Sequence, residues 1–267
     1  SAVSDGRNGL GTVFVFSAGN GFDKGSDVNF YGLQSSINVI TVAALDRNGT
    51  FSSVRDEAGY STAGAAILIS APGSSIMSAD ISGNRGYSLN DHTTGDGTSY
   101  AAPMVAGVVA LMLEANPRLG FRDVQEILAL TARQNDQGDG DWRFNGARTF
   151  NGGGAHFNTN YGFGAVDAHA AVRLAEVWFS QPQTAANRLV TSLPITGGPI
   201  EANGSRFTVR VNDPIDLQHV SVRLDFSFSR FSDIAVFLIS PSGTVSELLF
   251  RPTGGDVTSI SQSMQLT

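Results

Sequence analysis

The sequence predicts an α/β protein in which a parallel sheet carries packed helices, followed by an antiparallel β segment. Three observations carry that expectation. Short apolar runs at Thr12–Phe16, Asn38–Ala44 and Ala66–Ser70, set off by glycines and turns, read as buried strands. Helical patterns alternate with them in the order that builds a parallel sheet. From Val220 the period drops to two, with Val220, Val222, Leu224, Phe226 and Phe228 on one side and Ser221, Arg223, Asp225 and Ser227 on the other. Such a strand has one wet face.

The 267 residues, 41% hydrophobic, suffice for one large domain or two smaller ones. A net charge of -7 without a Lys/Arg run argues against nucleic acid and against an anionic membrane surface as partners. With no cysteine the chain forms no disulfide, which leaves the compartment open. The sequence reads as lacking a signal peptide and an apolar run of membrane-spanning length.

Taken in order, the first strand enters Ser17-Ala18-Gly19-Asn20 and then a glycine-punctuated loop, Gly21–Gly32. Loops at the carboxyl ends of parallel strands are where α/β folds bind ligands. Asp23 and Asp27 offer oxygens of the kind Ca²⁺ takes, although loop carboxylates are more often simply solvated. The same two readings apply to Asp56 and Glu57 in the loop Asp46–Gly64, and to the three acids of Asn135–Asp141, which lack the EF-hand pattern. The third strand is ended by Ala71-Pro72-Gly73.

Gly95–Asn116 organises the rest: a Gly/Asp/Thr turn places Ser99 at the mouth of a helix whose apolar residues go round every side, so the helix is expected to be buried. Pro103 is expected in the first turn, where its missing N–H costs no intrahelical bond. A hydroxyl at that helix start is either an N-cap or a nucleophile whose oxyanion meets helix N–H groups. Further helices are expected at Phe121–Thr131, through Val124, Ile127 and Leu128, and from Val166 to Val177. Residues 179–199 read as a linker or entry strand, rich in Pro, Gly, Thr and Ser. Beyond it, Phe207–Val211 alternates, and Ile234–Ile239 enters the turn Ser240–Gly243 and is answered by Val245–Phe250. Strands are expected at all three.

The run Gly97-Thr98-Ser99-Tyr100-Ala101-Ala102-Pro103 resembles the nucleophile motif of the subtilisin-like serine proteases. Phe16-Ser17-Ala18-Gly19-Asn20 resembles their oxyanion motif, 79 residues upstream as counted from Asn20 to Ser99. Matches at Ile69–Gly73, Glu114–Pro117 and Tyr161–Ala168 extend the resemblance over about residues 1–178. Phe231–Thr244 is similar to the P domain, the β-sandwich that follows the catalytic domain in kexin-like convertases. The expected organisation is a peptidase unit at 1–178, a linker at 179–199 and a P-domain-like sandwich segment at 200–267.

The resemblance implies a secreted, bacterial endopeptidase acting on polypeptides through an acyl-enzyme, with structural Ca²⁺. Ser99 is its nucleophile, the Ser99 N–H and Asn20 amide its oxyanion donors, and Ser17, Ala18 and Gly19 a wall of its primary specificity pocket. Where kexin-like convertases carry an acid that recognises a basic side chain, this sequence has Tyr31. The family's triad Asp and His lie upstream of the first strand here, so the chain reads as a part whose partner is the upstream half of its own catalytic domain. Alone it is expected to be inactive and, with an unpaired sheet edge, poorly soluble. None of His92, His156, His169 and His219 sits in a motif that marks a replacement base. Two other readings stand: an α/β-hydrolase using Ser99, Asp167 and His169, and a degenerate protease that only binds. Asn48-Gly49-Thr50 and Asn203-Gly204-Ser205 fit the glycosylation pattern, which matters only in a eukaryotic secretory host.

Overall fold

The apolar runs form a three-stranded parallel sheet, β1 (Phe14–Ser17), β2 (Val39–Leu45) and β3 (Ile69–Pro72), in that spatial order. Phe14 pairs with Val39 and Ser17 with Val42, while Val42 pairs with Ile69 and Leu45 with Pro72. β2 is the central strand and, as a sheet covered on both faces requires, it is buried from Ile40 to Leu45. Pairing in β3 runs on to Pro72, past the expected end at Ser70; a proline in the last position forfeits no interior ladder bond. A computed structural model describes residues 1–51, 53–54, 58–146, 154–212, 217–228, 233–250 and 260–266, so Asp56 and Glu57 lie outside the described residues.

A hairpin, β4 (Ile76–Ala79) and β5 (His92–Gly95), leads into helix α1 (Thr98–Ala115). On α1, Ala101, Ala102, Val105, Val108, Val109 and Met112 recur at helical spacing and bury against the sheet with Ile40, Val42, Ile69 and Ala71. The helix is not buried on every side as its sequence predicts. Pro103, Ala106, Gly107, Ala110 and Leu111 are exposed, because the sheet covers one face only. Eighteen residues with a mean hydropathy of 1.4 do have the length and composition of a membrane span, contrary to the sequence reading, yet the helix lies on a sheet within the core. Pro103 also departs from expectation. It falls in the second turn, and the bond it forfeits is the one to the Ser99 carbonyl.

Helices α2 (Phe121–Thr131) and α3 (Ala168–Glu176) complete the layer, with Val124, Ile127, Leu128, Ala171 and Ala175 fully buried. The start of the expected linker is pinned to α2. Buried Asp123 accepts from the Trp178 indole N–H at 3.0 Å and from the Gln183 N–H at 3.0 Å, and Arg122 donates to the Thr184 carbonyl at 3.0 Å.

The antiparallel segment contains β6 (Val222–Phe228), the hairpin β7 (Ala235–Ile239) and β8 (Val245–Phe250), and β9 (Ile260–Leu266), which pairs with β6. Phe207–Val211 forms no strand despite its alternation; its apolar side chains are exposed, and no described strand lies beside it to pair with. The β7–β8 hairpin docks on the first unit. Asn29 donates to the Leu248 carbonyl at 2.8 Å, and Ala65 packs against Ile234, Leu248 and Leu249.

The two faces of α1 differ sharply in cost of truncation. Met112→Ala, at a fully buried site, is expected to lower unfolding free energy by about 2–5 kcal/mol. Leu111→Ala, half exposed, is expected to cost about 0.5 kcal/mol or less. Denaturant unfolding of the two variants reads the contrast.

Candidate active site

Two chain segments distant in sequence converge where β1 ends and α1 begins. The N-cap of α1 is Gly97, which has no side chain to cap with and holds φ at 148°, a conformation open to glycine. A Cβ there would stand 3.3 Å from the Asn20 amide nitrogen. The missing cap comes from β1's end instead: the Asn20 Oδ1 accepts from the Thr98 N–H at 3.0 Å and from the Thr98 hydroxyl at 2.8 Å. The Thr98 hydroxyl in turn accepts from the Gly19 N–H at 3.2 Å. With its oxygen doubly held, the Asn20 carboxamide is oriented, and its Nδ2 makes no hydrogen bond among the described residues.

Ser99 is exposed, and among the described residues neither its hydroxyl nor its backbone N–H has a hydrogen-bond partner. Helix starts leave such donors over, and the macrodipole makes them electropositive. A neutral amide donor, a free backbone N–H and an exposed hydroxyl therefore adjoin one another at one helix start. That set can stabilise an oxyanion formed when the hydroxyl attacks a carbonyl.

The expected pocket wall divides by side chain. Ala18 is fully buried with Val28, Ala43 and Ile67 and its N–H donates to the Val42 carbonyl at 2.9 Å, so contrary to expectation it presents no surface to a peptide, while Ser17 is partly buried. Gly19 holds φ at 100°, and a Cβ there would come 3.2 Å from the Tyr31 ring. Tyr31 thus stands close beside Gly19.

No histidine serves Ser99 in this structure. The His92 Nδ1 pairs with Asp91 at 2.9 Å on the exposed hairpin, and His156 packs edge-on against Trp142, where burial pushes its pKa down. His219 is exposed ahead of β6. Exposed His169 lies in the first turn of α3, whose N-cap is Asp167: that carboxylate accepts from the Ala170 N–H at 2.9 Å and ion-pairs with Arg133. With that acid spent on a cap, the Ser99, Asp167, His169 reading is not supported.

The candidate calcium ligands do not assemble into a cage. Asp23 is exposed, whereas Asp27 caps a short 3-10 turn by accepting from the Asn29 N–H at 2.8 Å. Burial first, and the charge of Glu247 on the docked hairpin, push the Asp27 pKa up to about 6. Of the connector acids, Asp136 accepts from the Tyr161 hydroxyl, Asp139 from the Asp141 N–H, and Asp141 ion-pairs with Arg143. Among the described residues no group of three or more His, Cys, Asp or Glu is placed to hold a metal ion. Tyr60 and Thr62, which bond to Gly97 and Gly21 on either side of this geometry, carry no signal that a reading of motifs detects, whereas Thr98 stands inside the run Gly97–Pro103.

A parallel sheet with a helix on its face, an exposed serine at that helix's start and an unpaired amide N–H₂ at the neighbouring strand end is the arrangement an α/β serine hydrolase requires. The model of the subtilase family matches residues 1–164 and that of the proprotein convertase P-domain residues 217–265. The chain belongs to the subtilase family, with a P-domain region following. It is 35% identical over 259 residues to the rat proprotein convertase subtilisin/kexin type 6, covering 93% of this chain and 26% of that protein. It is 33% identical to kexin of Saccharomyces cerevisiae, covering 94% of this chain and 30% of that one. The chain thus spans between a quarter and a third of these two curated relatives. A crystal structure of a serine protease of Aeromonas sobria superposes with a TM-score of 0.65 at 23% identity, over 91% of this chain and 51% of that one, a likeness of fold.

Asp27 carries a pH signature with a definite sign. Its folded pKa of about 6 exceeds the ordinary aspartate value of 3.8, so the native state holds a proton that the unfolded chain releases, and stability falls as pH rises between those values. Asp27→Asn is expected to flatten that part of the stability profile, as read by thermal melts from pH 4 to 7 (about the acid's titration window).

Proposed function

We propose that this chain supplies the nucleophile and oxyanion donors of a secreted serine endopeptidase whose base comes from a segment outside it. The observation that carries the reading is the Asn20 carboxamide locked by Thr98 beside Ser99. In the reaction the Ser99 hydroxyl attacks a peptide carbonyl while a His takes its proton, and the Ser99 N–H and Asn20 Nδ2 meet the oxyanion. Collapse expels the amine and leaves an acyl-serine, which water hydrolyses. The upstream half of the catalytic domain is the partner this reading requires. The exposed α1 face of Ala106, Ala110 and Leu111 gives it an apolar surface to cover. The substrate is a polypeptide, and Tyr31 at the pocket wall argues against an acid-based preference for basic residues there.

Asn20 has two separable duties, and substitution tells them apart. In the full-length protein, Ser99→Ala is expected to abolish peptide hydrolysis. Asn20→Ala and Asn20→Asp are each expected to lower kcat about 10²–10³-fold, the effect known for subtilisin's own oxyanion asparagine. Asn20→Asp keeps the oxygen that caps α1 and should retain stability, whereas Asn20→Ala should lose about 1 kcal/mol. Full hydrolysis by Asn20→Ala excludes the oxyanion role.

Calcium enters this reading at Asp27 alone, a partly buried carboxylate facing Glu247 with no cation against it, which a divalent ion would relieve. Asp23 is too exposed to complete the set. Calcium is expected to raise the wild-type Tm at pH 7 and to leave that of Asp27→Asn unchanged; equal shifts in both remove Asp27 from the site.

A further inference from the structure

The segment 60–62 touches both halves of the oxyanion arrangement. The Tyr60 hydroxyl donates to the Gly73 carbonyl at 2.8 Å and accepts from the Gly97 N–H at 3.1 Å. That N–H also meets the Gly73 carbonyl at 2.8 Å, so three groups close a triangle immediately ahead of Thr98 and Ser99. On the other side, the Tyr60 backbone carbonyl accepts from the Phe22 N–H at 3.2 Å, two residues beyond Asn20. Thr62 brackets Asn20 itself: its N–H donates to the Gly19 carbonyl at 2.9 Å, and its hydroxyl accepts from the Gly21 N–H at 3.0 Å.

Packing does not account for the phenol. Tyr60 is 6% exposed in the main core cluster, where a phenylalanine ring fills the same space without a polar atom to satisfy. The hydroxyl is retained in a buried setting with its two shorter hydrogen bonds directed at backbone flanking the site and the Ser74 hydroxyl as a longer third partner at 3.3 Å.

We propose that Tyr60, acting with Thr62, is a positioning residue of the hydrolytic site: the segment is a strut that fixes the Asn20 amide relative to the Ser99 N–H. The inference rests on the protease reading above. Oxyanion donors are effective only when held at the place where charge develops, so a loosened strut lowers the rate of chemistry more than it weakens substrate binding.

The test is a double-mutant cycle in the full-length protein. Tyr60→Phe is expected to lower kcat about tenfold, the worth of one hydrogen bond, with KM changed by less than about twofold. In an Asn20→Ala background the same substitution is expected to change kcat by less than about twofold, because the amide it positions is gone. A wild-type kcat for Tyr60→Phe, or the same loss in both backgrounds, overturns the strut. Should Tyr60→Phe fail to fold, Thr62→Val and Thr62→Ser carry the same cycle, with Ser expected to restore the rate that Val loses. Hydrolysis that survives Ser99→Ala overturns the protease reading instead, a separate outcome from failure of the strut.

Discussion

The double hydrogen bond from Thr98 to the Asn20 carboxamide is the interaction on which the site depends. It closes the end of a helix that has only a glycine for an N-cap, and it leaves the amide N–H₂ group of exposed Asn20 without a hydrogen-bond partner among the described residues. One carboxamide therefore satisfies a structural need with its oxygen and keeps its nitrogen uncommitted among the described residues. An aspartate there would cap as well but would bring negative charge to the place where, on the proposed mechanism, the oxyanion would form. A serine would cap without offering two donors. Asparagine alone among the good capping residues does both while remaining neutral.

Much of this was legible in the sequence, and the reasons are local. Strands β2 and β3 announce themselves as apolar runs because they are buried, whereas β1, read as buried, is only half-buried along its length as an outer strand; α2 appears at its expected bounds because Val124, Ile127 and Leu128 share one face. Ser99 and Asn20 stand in motifs, so their convergence is readable before any fold is known. What escaped reading depends on contact between distant segments. The hydroxyl of Tyr60 finds Gly97, 37 residues on, and nothing in the residues around Tyr60 announces that partner.

The same distinction explains two of the places where expectation and structure part. An apolar residue in a helix reads as buried whichever way it points, but a single sheet reaches only one face, and Leu111 is left half exposed beside Met112, which is fully buried. Alternation in Phe207–Val211 reads as a strand, yet alternation describes only which side chains share a side. A strand exists when another lies within hydrogen-bonding distance, and no described strand does so there.

Pro103 bears on the site more directly than its place in a first turn would have. The donor it lacks is the one that would have bonded the Ser99 carbonyl, so Ser99 is relieved of the i to i−4 ladder on both sides: its N–H precedes the ladder and its carbonyl has no partner four residues on. The chain around it is nonetheless held firmly, by Gly73 and Tyr60 on Gly97 and by Asn20 on Thr98. Rigidity is thus imposed through the neighbours while the backbone N–H of Ser99 itself stays uncommitted. A donor already spent on the helix would be worth little to a developing charge; one held in place by its flanks and bonded to nothing is ready for it.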